Sequence, residues 1–164
     1  MSKQLYIVRH AKSSWDYEDI SDIDRPLSIR GITDAGVMAG RLKSNGDIPS
    51  LMISSPACRA IHTATIFARV LKFPLEKIII AEKIYPGNIN DILKILEKIE
   101  ECHSSVMIFG HNPALTELAN YFLKYPIDNI PTAGVVTLNF SVDRWKDLRE
   151  SKAKSELVDF PKKV

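Results

Sequence analysis

Apolar residues follow two rhythms along this chain, and the two alternate: short unbroken runs, and stretches that repeat every three to four positions. Gln4 to Val8 is a run that predicts a buried strand, ending at the polar pair Arg9-His10. A polar loop with Trp15, four aspartates and Pro26 follows. Ser28 is placed to cap a helix whose apolar positions Ile32, Ala35, Met38, Ala39 and Leu42 keep helical spacing, and Asn45-Gly46 stops it. Leu51 to Ser54 predicts a second strand, and Ser55-Pro56 opens a helix running to about Lys72. Ile78 to Ala81 reads as a third strand. After the turn Pro86-Gly87-Asn88, Ile89, Ile92, Leu93, Leu96 and Ile99 mark an amphipathic helix. Ser105 to Phe109 is a fourth strand, ending at Gly110-His111. Pro113 suits the first turn of a helix that buries Leu115, Leu118, Ala119 and Phe122. Val135 to Phe140 and Leu157 to Phe160 complete a set of six strands.

Strands alternating with helices of this length predict an α/β fold, a mostly parallel sheet with helices on both faces. No internal repeat divides the 164 residues, so one domain over 1–164 is expected. In open sheets of this kind ligands gather at the carboxyl ends of the strands. Arg9-His10 follows strand one, Ser55 to Arg59 strand two, Glu82 strand three, and Gly110-His111-Asn112 strand four. Groups suited to phosphate chemistry therefore share one rim.

Composition changes this picture little. Hydrophobic residues make up 45% and charged residues 26%, and 22 basic against 20 acidic residues give a net charge of +2. That balance offers no global field for nucleic acid or a membrane surface, so basic residues act locally. Cys58 and Cys102 are too few for a disulfide framework and lack metal-ligand spacing. No apolar run approaches ~20 residues and no signal segment is legible, so a cytoplasmic location is expected.

Taken singly, each rim element is ambiguous. An Arg-His pair also serves as a salt bridge with a satisfied histidine, and Arg59 also reads as a solvated helix residue. Gly110-His111-Asn112-Pro113 also reads as an ordinary turn. Together, two histidines and two arginines after three strands predict a phosphate pocket with a nucleophile. Imidazole can attack phosphorus, and guanidinium forks match two phosphate oxygens. No carboxylate cluster with metal-binding spacing accompanies them, so neither metal nor cofactor is expected.

These residues resemble the histidine phosphatase superfamily. Its Arg-His-Gly hallmark stands here as Arg9-His10-Ala11, followed by a Ser-Ser-Pro element with Arg59-Ala60 and by the later Gly110-His111. The chain is most similar to the small SixA-type phosphohistidine phosphatases. The matching stretches are Arg9 to Trp15, Asp24-Arg25-Pro26-Leu27, Arg30-Gly31, Gly110 to Pro113, Pro131-Thr132-Ala133-Gly134 and Leu157-Val158-Asp159-Phe160. The resemblance implies a phosphoglycerate mutase-like, three-layer α/β/α sandwich. It also implies His10 as the phospho-accepting nucleophile, with Arg9, Arg59 and His111 holding the phosphoryl group. Ala11 replaces the usual glycine, which a negative φ tolerates. Lys12 and Asp16 stand where phosphoglycerate mutases carry glutamate and asparagine, which argues against mutase activity; Asp16 is expected to point away from a phosphate.

Glu82, three residues before Tyr85, resembles the mutase acid in spacing and is the candidate proton donor, although it reads equally as an exposed turn residue. Lys12, Ser13 and Arg25 are candidates for the pocket mouth, with Arg25 alternatively paired to Asp22 or Asp24. Asn112 and Thr132 complete the candidate substrate contacts. The expected activity is dephosphorylation of phosphohistidine on a signalling protein, such as a histidine phosphotransfer domain. Hydrolysis of small phosphate esters and a non-catalytic phosphoprotein-binding module are the alternatives.

Overall fold

The computed structural model describes residues 2–162. Six strands form one sheet: β1 Lys3–Arg9, β2 Leu51–Ser54, β3 Ile79–Ile80, β4 Ser105–Gly110, β5 Val135–Phe140 and β6 Ser155–Asp159. Their spatial order is β3-β2-β4-β1-β5-β6. The first four run parallel, while β5 lies antiparallel to β1 and β6 antiparallel to β5. All six residues of β4 are buried. A parallel strand covered on both faces reads as a continuous apolar run, and this one does.

The side-chain period of two sorts the core into halves. Leu5, Ile7, Val106 and Ile108 face α3 (Ile89–Glu97) and α4 (Ala114–Phe122). Tyr6, Val8, Met107 and Phe109 face α1 (Ile29–Ser44) and α2 (Cys58–Leu71). This is the expected three-layer α/β/α arrangement, with the sheet mixed at β5 and β6. Among the described residues no helix is long and apolar enough to cross a membrane.

Three elements differ in detail from the sequence reading. Ile32 is exposed, because α1 buries Gly31, Ala35, Met38, Ala39 and Leu42, a stripe that begins one residue earlier. β3 is only two residues long, and both are exposed, since an edge strand has one neighbour to cover it. β6 starts at Ser155 and ends at Asp159, so Phe160 has already left the sheet.

Gly31 explains the missing first side chain of the α1 stripe. A Cβ there would sit 2.1 Å from the Lys12 carbonyl oxygen, and that same oxygen accepts hydrogen bonds from the Ser28 backbone (2.9 Å) and hydroxyl (3.1 Å). The helix start is thus seated on the loop that follows His10. Gly31→Ala is expected to cost about 1–3 kcal/mol by overpacking and to disturb that loop, read as a lower Tm with reduced turnover. An unchanged Tm would show that the loop yields freely.

Candidate active site

Strand register brings the histidines together. Arg9 lies opposite Gly110 in the parallel β1–β4 pair, so His10 and His111, the next residue on each strand, emerge side by side. Their ring centroids are 5.2 Å apart.

His10 is held on three sides. Its N–H donates to the Gly110 carbonyl (3.0 Å), and its own carbonyl accepts from Ala133 N (3.1 Å). Nδ1 lies 2.7 Å from the Ala11 carbonyl oxygen. A carbonyl only accepts, so Nδ1 carries the proton and Nε2 keeps a lone pair. The residue is 8% exposed, and burial pushes its pKa down to about 4. The Ala11 bond opposes that shift, and Arg59, Arg9 and Arg25 add to it. The imidazole is neutral at pH 7, as a nucleophile requires.

Surrounding backbone fixes this position. Ala11 N donates to Thr63 Oγ1 (2.9 Å), which itself donates to the Arg59 carbonyl (2.7 Å), so the loop after β1 is tied to α2. Ala11 is fully buried and is not among the positive-φ residues, in keeping with alanine at a glycine position. Ala133 does adopt a left-handed φ of 61°. That strained turn folds Pro131–Gly134 back onto His10.

His111 Nε2 lies 2.7 Å from Ser55 Oγ, and the edge of its ring meets Tyr85 at 5.3 Å. Burial, with His10 and Arg59 adding to it, pushes its pKa down to about 3. Arg9 donates from one terminal nitrogen to the Ile130 carbonyl (2.8 Å). Among the described residues, two buried side-chain polar atoms have no hydrogen-bond partner, Arg9 Nε and His111 Nδ1. Such atoms are rare in folded proteins. Both belong to residues beside His10: Arg9 precedes it in the chain, and the His111 ring lies against its ring.

Arg59, in the first turn of α2, is 7% exposed. Its two terminal nitrogens donate to Asp22, one to the backbone carbonyl (2.7 Å) and one to Oδ2 (2.9 Å). The same Oδ2 accepts from the Tyr85 hydroxyl (2.6 Å). The Tyr85 bond, aided by Arg59 and opposed by partial burial, holds the Asp22 carboxyl at about 2. Asp22 is therefore ionised throughout the working pH range.

Around His10 lies a hollow of about 320 Å³ with four cations, Arg9, Lys12, Arg25 and Arg59; Ser13, Trp15 and Thr132 close its sides. Arg25 lines this hollow and also reaches Asp22. It donates to Ser13 Oγ (2.6 Å), the Ser14 carbonyl (3.3 Å) and Asp22 Oδ1 (3.3 Å), and it stacks 3.3 Å from the Trp15 ring.

Two candidates lie elsewhere. The Asn112 amide donates to Asn129 Oδ1 (2.6 Å) and the Ile130 carbonyl (3.0 Å), and its oxygen accepts from Thr116 N and Oγ1. Its polar atoms are committed to latching the loop before Pro131 onto α4, so the expectation of a substrate contact is corrected. Glu82 is exposed and lines a separate hollow with Lys83, Tyr85 and Asn88. Asp16 is exposed, and its backbone N–H turns in to Ser14 Oγ. Among the described residues no three His, Cys, Asp or Glu side chains converge as a metal site would require. Asp22, Thr63 and Tyr85 took no part in the site read from sequence. Their signals were a crowd of aspartates, a tyrosine near the acid-like spacing, and Thr63-Ala64 at the end of the Ser-Ser-Pro element.

The depressed histidine pKa values give a testable profile. After correction for the substrate's own ionisation, kcat/KM is expected to stay level from pH 7 to about 5 and to fall with an apparent pKa near 4. An enzyme limb at 6.5 would contradict a buried neutral His10. Stability should follow the same sign. Unfolded imidazoles bind protons below about 6.5 that the folded chain refuses, so Tm drops as pH falls from there toward 4.

The model of the histidine phosphatase superfamily (branch 1) matches residues 5–82, a span running from β1 through Arg59 to Glu82. An uncharacterised Picosynechococcus protein is 30% identical over 118 residues, which cover 71% of this chain and 70% of that protein. An uncharacterised chloroplast protein of Arabidopsis thaliana is 46% identical over 63 residues, 38% of this chain but only 29% of that protein. Two solved structures share the fold. The Nakamurella multipartitia protein described as a phosphohistidine phosphatase SixA has a TM-score of 0.86 at 19% identity and covers 99% of this chain and 98% of that one. The protein histidine phosphatase SixA complexed with tungstate has a TM-score of 0.81 at 20% identity and covers 96% of this chain and 97% of that one.

Proposed function

The chain belongs to the histidine phosphatase superfamily, and from that premise we propose that it removes the phosphoryl group from phosphohistidine on a signalling protein, through a covalent phosphohistidine on His10. One observation carries the reading: two buried, unpartnered nitrogens, Arg9 Nε and His111 Nδ1, flank a neutral imidazole that lines a cationic hollow.

In the proposed first step the Nε2 lone pair of His10 attacks phosphorus in line. A new N–P bond forms while the substrate's N–P bond breaks, and the departing imidazole takes its proton from solvent. Arg9, Arg59 and His111 meet the charge spread over the equatorial oxygens. The phosphoryl group competes with Asp22 for the Arg59 fork. Water then cleaves phospho-His10, releasing phosphate and restoring the neutral ring.

Weak acid assistance at this site supports a phosphoramidate substrate. Asp22, held at about 2, has no proton to give at neutral pH, and Glu82 is exposed in its own hollow. An imidazole leaves without strong acid help, whereas an alkoxide does not.

Rates on free phosphohistidine and on glycerol 3-phosphate, an alkyl ester, test this. The ester is expected to be slower in kcat/KM by about 10²–10⁴-fold, the usual contribution of a general acid. EDTA should leave both rates unchanged. Equal rates would overturn the phosphoramidate preference, and loss of activity restored by Mg²⁺ would overturn the metal-free mechanism. Binding without turnover would leave a phosphoprotein-binding module.

A further inference from the structure

We propose that a groove beside the His10 hollow binds an acidic stretch of the phosphoprotein substrate, next to its phosphorylated residue; this rests on the phosphoprotein reading above. The groove has a volume of about 380 Å³, and Lys12 and Thr132 line both it and the hollow, so the two are neighbours on one surface. An extended chain with its phosphoryl group over His10 would pass into it.

Its chemistry is that of a peptide subsite. Pro131, Phe160 and Pro161, all half-buried, give it an apolar floor. Arg30, Lys162 and Lys12 stand against one carboxylate, Asp34, which lies 3.7 Å from Arg30 Nε. Three cations to one anion leave a positive surface for acidic side chains. Lys12, Arg30 and Lys162 come from three separate segments of the chain, and all three are exposed.

The wall is preformed. After β6 ends, Arg41 of α1 donates to Asp159 Oδ1 (3.0 Å) and to the carbonyls of Phe160 (2.9 Å) and Pro161 (3.0 Å). Asp159 Oδ1 also accepts from Phe160 N (2.9 Å). Arg41 is a positioning residue that acts through this strap, and the pinned strap limits the ordering cost of binding. It also gives a role to Asp159 and Phe160, which the chemistry at His10 does not use.

Two synthetic peptides carrying a central phosphohistidine test the groove, one flanked by Asp and Glu, the other by Ser and Lys. The native chain is expected to favour the acidic peptide by about tenfold or more in kcat/KM, less so at high salt. The double variant Arg30→Glu/Lys162→Glu should lose that preference and keep its rate on free phosphohistidine. Arg41→Ala should weaken the preference without removing a groove charge. No preference in the native chain, a preference that survives charge reversal, or an equal loss on free phosphohistidine would each overturn the proposal. If no phosphohistidine substrate turns over, the phosphoprotein reading has failed, and the groove is judged by NMR titration with the unphosphorylated acidic peptide. Shifts at Phe160 and Lys162 that vanish in the double variant support it; no shifts overturn it.

Discussion

His10→Ala is expected to lower kcat by about 10⁴-fold or more, the scale on which removing a nucleophile acts. The geometry is specific about why. The Ala11 carbonyl fixes the proton on Nδ1, and burial keeps the ring neutral, so a lone pair is ready on Nε2 without a separate base. Loss of rate alone would not separate nucleophile from structural residue. A second reading does: stopping the native reaction with alkali in the presence of radiolabelled phosphohistidine should trap label on the protein, and His10→Ala should trap none. The variant should keep its native fold, because the backbone bonds of His10 to Gly110 and Ala133 survive the substitution. Turnover in His10→Ala within tenfold of the native rate would remove the mechanism.

Arg59→Ala carries the second large effect, a fall in kcat of about 10²–10³-fold, as for loss of one preorganised donor, about 3 kcal/mol. Arg59→Lys should recover little, since a single ammonium cannot reproduce a planar fork. A confounding path runs through Asp22, which loses the Arg59 fork in either variant and keeps Tyr85 and Arg25. Asp22→Asn separates the two. If Arg59 acts only by holding the Asp22 turn, Asp22→Asn should share the loss. If Arg59 meets the phosphoryl group, Asp22→Asn should keep kcat and lower KM, because the competing carboxylate is gone. A near-native rate in Arg59→Ala would show that another cation does this work.

How far the sequence reached depended on whether position follows from backbone rules or from long-range packing. The two histidines could be placed at one rim because each ends an apolar run, and parallel strands align their carboxyl ends. Arg59 followed from the Pro-containing start of α2. Asp22 did not, because one of four aspartates in an irregular loop gains its role only when Tyr85, sixty-odd residues later, comes within hydrogen-bond reach. Asn112 misled for the reverse reason. Its place beside His111 suggests a ligand contact, but Asn129, Ile130 and Thr116 take up its amide. Ile32 failed because a glycine held the buried position beside it, and an apolarity pattern does not register a residue that is buried by being small.

The β1–β4 register has a consequence for how this chain becomes active. The two imidazoles stand about a hundred residues apart in sequence and meet only when the central strands have zipped in step; a slip of one residue would turn every side chain of β1 to the opposite face. Such distant pairings close late and slowly. Half-assembled chains, however rich in helix, would thus be chemically silent, and the return of turnover during refolding would time the closing of the molecule's innermost seam.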